Sequence, residues 1–347
     1  MIIFWILFII AFAGMFYAMP HSIRKLRESG SVAMDMYKPG KPMVPTNAGM
    51  IMLFISFISI ALLPLVVRVF NYAIPLEDSV SDLSKTNLAF LLVVSIYSLY
   101  GLVDDLLDID RLSKLFLPIV FGFPLILVTT PELIWIPITG DFDLTTTAFG
   151  DFTWSDLFRV TIIPVYVMVV SNLVNMYSGY NGLQSGLSII IMSTLLVKSW
   201  SDGIIDAVIP GGAFLGAMLV FWWFNKYPAK VFEGNIGSML FGSVIGSIIV
   251  IQEYWWFGFF ILIPHTVNFL LWIVWLFMMK KNPEEYLEED GNHRKFGRIR
   301  EDGTLDVPNM LTLKWIPNHY WRLNEQQSTR RLHLITVIFC ITGLIFI

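Results

Sequence analysis

The sequence predicts an all-α polytopic membrane protein of about ten transmembrane helices, and three observations carry that expectation. The chain of 347 residues is 56% hydrophobic and 14% charged, with mean hydropathy +0.67, too apolar for a soluble globular protein. Its apolar residues fall into long runs separated by polar, Gly- and Pro-rich segments. Its basic residues concentrate in alternate loops, as the positive-inside rule requires. The lone Cys340 lies in an apolar run, which excludes a disulfide framework and a Cys-based metal site. A net charge of −4 gives no reason to expect nucleic acid. We read residues 1–347 as a single integral membrane domain.

The expected spans are 2–19, 48–70, 87–103, 115–130, 157–176, 182–200, 208–224, 234–251, 255–279 and 332–347. The first lacks a basic n-region and a small-residue cleavage site, so it reads as a membrane helix and not a removable signal. Basic residues orient the rest. Arg24, Lys25, Arg27, Lys38 and Lys41 follow span one, Arg111 and Lys114 follow span three, and Lys226 and Lys230 follow span seven. The long loop 279–331, between spans nine and ten, carries the largest basic set. These loops are expected to be cytoplasmic, with both termini outside. The segment 132–156 has no Lys or Arg and faces out, and its alternation around Thr139-Gly140 predicts a short extracytoplasmic β-hairpin. Every polar, Gly-rich loop then converges on one face. A transporter would instead bury charge near mid-membrane, often within internal repeats. Mid-span polar residues are few, chiefly His265 and Asn268.

Four segments on that face can carry chemistry. The apolar run 87–103 ends in Asp104, Asp105, Asp108 and Asp110. Acids at the mouth of a membrane helix are costly unless a cation, a basic group or water compensates them, and such a cluster suits Mg²⁺. Asn175-Met-Tyr-Ser-Gly-Tyr-Asn181-Gly offers two carboxamides in a Gly-rich connector. Glu233-Gly-Asn235-Ile-Gly-Ser238 opens span eight, with Asn235 and Ser238 as candidate helix caps. Asn292-His293-Arg294-Lys-Phe-Gly-Arg298 sets a His among cations able to grip phosphate. Upstream, the loop Lys38-Pro-Gly-Lys-Pro-Met-Val-Pro leads into span two, and its Lys residues reach a lipid phosphate or set topology.

In this order, these segments resemble the polyprenyl-phosphate N-acetylhexosamine-1-phosphate transferase superfamily, most of all its dolichyl-phosphate branch. The resemblance runs from Lys38-Pro-Gly to Asn309-Met-Leu-Thr-Leu and includes Ile263-Pro-His-Thr-Val-Asn268-Phe-Leu. It implies transfer of N-acetylglucosamine-1-phosphate, or a related sugar-1-phosphate, from a UDP-sugar to dolichyl or polyprenyl phosphate. UMP leaves, in what would be the first step of lipid-linked oligosaccharide synthesis for N-glycosylation. It implies Mg²⁺, with Mn²⁺ as an alternative, and a homodimer. By the same resemblance Asp104, Asp105 and Lys114 are catalytic, with Asp104 deprotonating or orienting the lipid phosphate and Lys114 contacting phosphate. Asn175, Asn235 and Asp105 are metal ligands, Asn181 lies near the uracil, and Lys38, His293, Arg294 and Arg298 bind substrate. One departure stands out: Asn235 occupies a position where much of the family has a metal-ligating Asp. The compact loops suggest a prokaryotic, archaeal plasma membrane with the endoplasmic reticulum as the alternative. The competing readings are a nucleotide-sugar or lipid-linked-sugar transporter and a non-catalytic membrane subunit with decayed motifs.

Overall fold

The computed structural model describes residues 2–73, 84–107, 109–136, 139–282 and 296–347. Among them eight helices are long and apolar enough to cross a membrane. In chain order the helices are α1 (Ile2–Glu28), α2 (Gly49–Ala61) and α3 (Leu63–Ala73), α4 (Lys85–Leu107), α5 (Arg111–Phe116), α6 (Trp154–Met176), α7 (Leu183–Ser201), α8 (Gly211–Asn225), α9 (Gly234–Ile251), α10 (Trp255–Ile261), α11 (Ile263–Lys281), α12 (Ile316–Tyr320) and α13 (Glu325–Phe346). The polytopic helical class is therefore as expected.

The expected spans 115–130 and 208–224 are helical but shorter than the rest. The first is α5 followed by an 11-residue 3₁₀ helix, Leu117–Leu127. Pro118 and Pro124 remove two backbone donors, which disfavours a regular α-helix. The second is the 15-residue α8. Span nine divides at Leu262, ahead of Pro264, into α10 and α11. Span ten starts earlier than expected, at Glu325, behind a reciprocal Asn324–Gln327 capping box.

Among the described residues, four two-stranded antiparallel sheets decorate the loops. The expected hairpin is present as β3 (Leu133–Ile136) paired with β4 (Gly140–Asp143). A second, β5 (Thr147–Phe149) with β6 (Phe152–Thr153), follows it. At the opposite end β1 (Val32–Met34) pairs with β2 (Met43–Pro45), and β7 (Arg298–Ile299) with β8 (Leu305–Asp306).

Helix α9 is the axis of the bundle. It is rich in Gly and Ser, and small residues let neighbouring backbones approach closely. A Cβ at Gly242 would lie 2.5 Å from Ser171 Cα of α6, and one at Gly49 of α2 would lie 2.2 Å from the Gly237 nitrogen. The mid-span polar residues serve packing. Asn268 accepts from Thr312 Oγ1 (2.8 Å) and the Leu313 N–H (3.0 Å), tying the 309–315 loop to α11. His265 is buried, edge-on to the Tyr177 ring.

Candidate active site

The site is organised where α4 ends against the first turn of α9. A Cβ at Gly101 would lie 2.4 Å from the Asn235 carbonyl oxygen, so glycine is what lets the two backbones meet. One turn further, the two adjacent acids diverge. Asp105 accepts the backbone N–H groups of Asn235 (3.1 Å) and Ile236 (3.3 Å), one on each carboxylate oxygen. It thereby caps the α9 N-terminus from a neighbouring helix, where a negative charge is favoured. The expected self-capping by Asn235 and Ser238 does not occur. Asn235 is already within the helix, and Ser238 Oγ donates to Gln184 Oε1 at 3.0 Å. Asp104 is 4% exposed. Its Oδ1 meets Lys114 Nζ at 2.8 Å and accepts the Ile109 N–H at 3.1 Å, while its Oδ2 accepts from Asn235 Nδ2 at 2.9 Å.

A cavity of about 300 Å³ opens beside this junction. Asp105, Asn175, Asn181, Glu233 and Asn235 line it, with Asp35, Gln184 and Phe296 on the remaining wall. The expected metal ligands Asp105, Asn175 and Asn235 thus share one cavity. Their donors are hard oxygens, which fit Mg²⁺ held partly by substrate phosphates. Among the described residues no three His, Cys, Asp or Glu form a cage of their own. Asn235 spends its amide nitrogen on Asp104, which turns its carbonyl oxygen into the group free for a cation. Glu233 accepts from Asn225 Nδ2 at 3.1 Å, and burial pushes its carboxyl up to about 7. A group poised near neutrality exchanges protons at little cost.

The far wall is held by long-range contacts. Glu325, the first residue of α13, accepts the Asn181 N–H at 2.6 Å and pairs with Lys38. Lys38 also lies 3.3 Å from Asp35 and 4.3 Å from the Tyr227 ring centroid. Asn181 Oδ1 accepts the Ala229 N–H at 2.8 Å. Lys314 donates to the Ser178 carbonyl at 3.1 Å beside Gly179, whose φ of +110° suits glycine. Desolvation lowers the Lys314 ammonium to about 8.

The profile of glycosyl transferase family 4 matches residues 87–253, which include most of α4, all of α9 and the connector that carries Asn175 and Asn181. A Saccharolobus solfataricus protein, provisionally named UDP-N-acetylglucosamine–dolichyl-phosphate N-acetylglucosaminephosphotransferase, is 30% identical over 72% of this chain and 71% of its own length. A Sulfolobus acidocaldarius protein of the same provisional name is 30% identical over 74% of this chain and 73% of its own. The chain belongs to glycosyl transferase family 4. A phospho-N-acetylmuramoyl-pentapeptide-transferase of Shouchella clausii is similar at 28% identity over 67% of this chain and 68% of that protein.

Within this family frame the expected site residues divide into three groups. Asp105, Asn175, Asn181 and Asn235 are brought to one cavity. Asp104, Lys114 and Lys38 are not among its lining residues. Asp104 stands behind Asn235, with a protein partner on each of its oxygens. Lys38 is buried between Glu325 and Asp35. Lys114 keeps about a third of its side chain exposed. Arg298 is exposed on β7, two residues after the wall residue Phe296. His293, Arg294 and Asp108 lie outside the described residues. Sequence reasoning missed Asp35, Glu233, Lys314 and Glu325. Of these only Glu233 had a signal, since it immediately precedes the Gly234-Asn235 step that opens α9.

Proposed function

We propose that this protein transfers N-acetylglucosamine-1-phosphate from UDP-N-acetylglucosamine to dolichyl or a related polyprenyl phosphate, as the first step of lipid-linked oligosaccharide synthesis. The observation that carries this reading is the meeting of Asp105, Asn175, Asn181 and Asn235, from three separate segments, on one cavity at the loop-rich end of the bundle. The names of the archaeal relatives support the same donor and acceptor. The basic loops at that end support a cytoplasmic site in a plasma membrane.

In this reading an oxygen of the lipid phosphate attacks the β-phosphorus of the UDP-sugar. The new P–O bond forms as the bond to the bridging oxygen breaks, and UMP leaves with that oxygen. Anion attacks anion, so charge neutralisation and in-line alignment carry the catalysis. Mg²⁺, held by Asp105 and the carbonyl oxygens of Asn175 and Asn235, would supply that neutralisation. Asp104 keeps Asn235 turned toward the cavity and pairs with Lys114. Glu325 fixes the Asn181 backbone, so that the Asn181 wall is rigid before the nucleotide arrives. A second cavity of about 300 Å³, lined by Trp272, Trp275, Met279 and Leu311 and touching Lys314, suits the apolar chain of the acceptor.

The test is UMP release by purified protein in detergent with UDP-N-acetylglucosamine, omitting polyprenyl phosphate or Mg²⁺ in turn. Release requiring both, with one lipid-pyrophosphoryl sugar formed per UMP, is the expected result. Release without the lipid would point to hydrolysis, and none with any UDP-sugar would refute the reading.

A further inference from the structure

A third cavity, of about 350 Å³, lies at the same end of the bundle and shares only Asn181 with the candidate active site. The end of α8, the residue pair that follows it and the first turns of α13 build most of its wall. Its charged lining is cationic, Lys226 and Arg330, with no Asp or Glu among the lining residues. Arg330 is exposed and makes no ion pair among the described residues. Lys226 Nζ sits 3.2 Å above the Trp223 ring centroid. Two lining residues carry buried donors without a hydrogen-bond partner among the described residues, the Thr329 hydroxyl and the Trp222 indole N–H. Thr329 is only 6% exposed, so water does not readily satisfy it from outside. His333 closes the base, its Nε2 3.2 Å from the Leu183 carbonyl.

Cations plus unpaired donors, with no acid among them, describe an anion site, and an Arg–Lys pair with a hydroxyl suits phosphate oxygens. The cavity also sits at headgroup depth. Exposed Trp223 and Tyr227 flank it, as aromatics do at a membrane–water boundary, and α13 becomes an apolar run soon after Arg331. We propose that this cavity binds the phosphate of an anionic membrane lipid, a site separate from that of donor and acceptor. Occupancy would back the Asn181–Gly182 turn from the side opposite the nucleotide. This site does not depend on the transferase reading.

Full-length protein stripped of lipid in a neutral detergent is titrated with short-chain phosphatidylglycerol, with phosphatidylcholine and with inorganic phosphate. Native mass spectrometry reads bound lipid, and tryptophan fluorescence reads all three. One phosphatidylglycerol per chain is expected. Its binding should weaken about tenfold or more in the Lys226→Gln/Arg330→Gln double variant and severalfold in Thr329→Val, since hydrogen bonds to charged groups are the strong ones. The melting temperature in detergent without added lipid, measured in parallel, should be unchanged and shows that each variant is folded. Lipid binding absent from the wild type, or equal in all three proteins, overturns the proposal. Binding of inorganic phosphate alone, lost in the same variants, overturns the lipid source in favour of a free anion.

Discussion

Two corners of the candidate active site handle buried acids in opposite ways. At the α4–α9 junction the acids are neighbours in sequence, and each meets a different partner. Asp105 takes backbone N–H groups and faces the cavity, while Asp104 takes Lys114 and the Asn235 amide behind it. At the other corner Asp35 and Glu325 come from opposite ends of the chain and converge on the single ammonium of Lys38. The first corner presents chemical groups to a ligand. The second spends its charges on one another, with Asp35 on the cavity wall, and holds the Asn181 loop in place. Charge density alone therefore does not locate the reacting groups, because what matters is which oxygens still face the cavity.

The largest effect should come from breaking the internal corner. Glu325→Ala leaves Lys38 with Asp35 alone and frees the Asn181 N–H, and each buried hydrogen bond lost to the carboxylate costs about 1.5–3 kcal/mol. Thermal unfolding in detergent should show a drop of many degrees, with UDP-sugar affinity falling in parallel. Glu325→Gln keeps an acceptor for Asn181 and should lose clearly less affinity than Glu325→Ala. Equal losses would mean that the charge, and not the hold on Asn181, is what the corner provides.

A smaller effect, on rate and not on folding, is expected at the presenting corner. Asn235→Asp sets a second carboxylate at the 2.9 Å contact with Asp104, and like charges so close drive one carboxyl to take up a proton. UMP release at pH 7 should fall by about tenfold, in the range of one lost electrostatic contact. A large gain would show instead that Asn235 is an inactivating change.

The two corners were unequally legible in the sequence. The Asp104-Asp105 pair stands out because it ends an uncharged apolar run. The polytopic class and the hairpin at β3–β4 follow from similarly local patterns. Nothing local distinguishes Glu325, which looks like a helix-start acid next to the Asn324 cap. Its meaning exists only once the fold brings Lys38 and Asn181 to it. The division of labour between Asp104 and Asp105 is likewise tertiary, since it depends on where the first turn of α9 docks. Splitting of span nine before Pro264 was readable in principle, but length favoured one long helix.

A third effect concerns pH. The Glu233 carboxyl is raised to about 7 in the folded protein, above the ordinary value of 4.5, so the folded state binds the extra proton between those values. Its stabilising contribution is complete below 4.5 and is lost as pH rises through 7, by at most about 3 kcal/mol. Glu233→Gln should flatten the decline in melting temperature between pH 4.5 and 7.5, and an unchanged slope would show that Glu233 does not titrate there.

The most direct test of the division between the two acids is the Mg²⁺ concentration needed for half-maximal UMP release, measured for wild type, Asp105→Asn and Asp104→Asn. Asp105→Asn should raise it by about tenfold or more, as loss of a carboxylate ligand does. Asp104→Asn should lower the rate while shifting the metal requirement far less. A larger shift for Asp104→Asn, or a Mg²⁺ requirement that neither variant moves, would contradict the placement of Asp105 at the reacting cavity and Asp104 behind it.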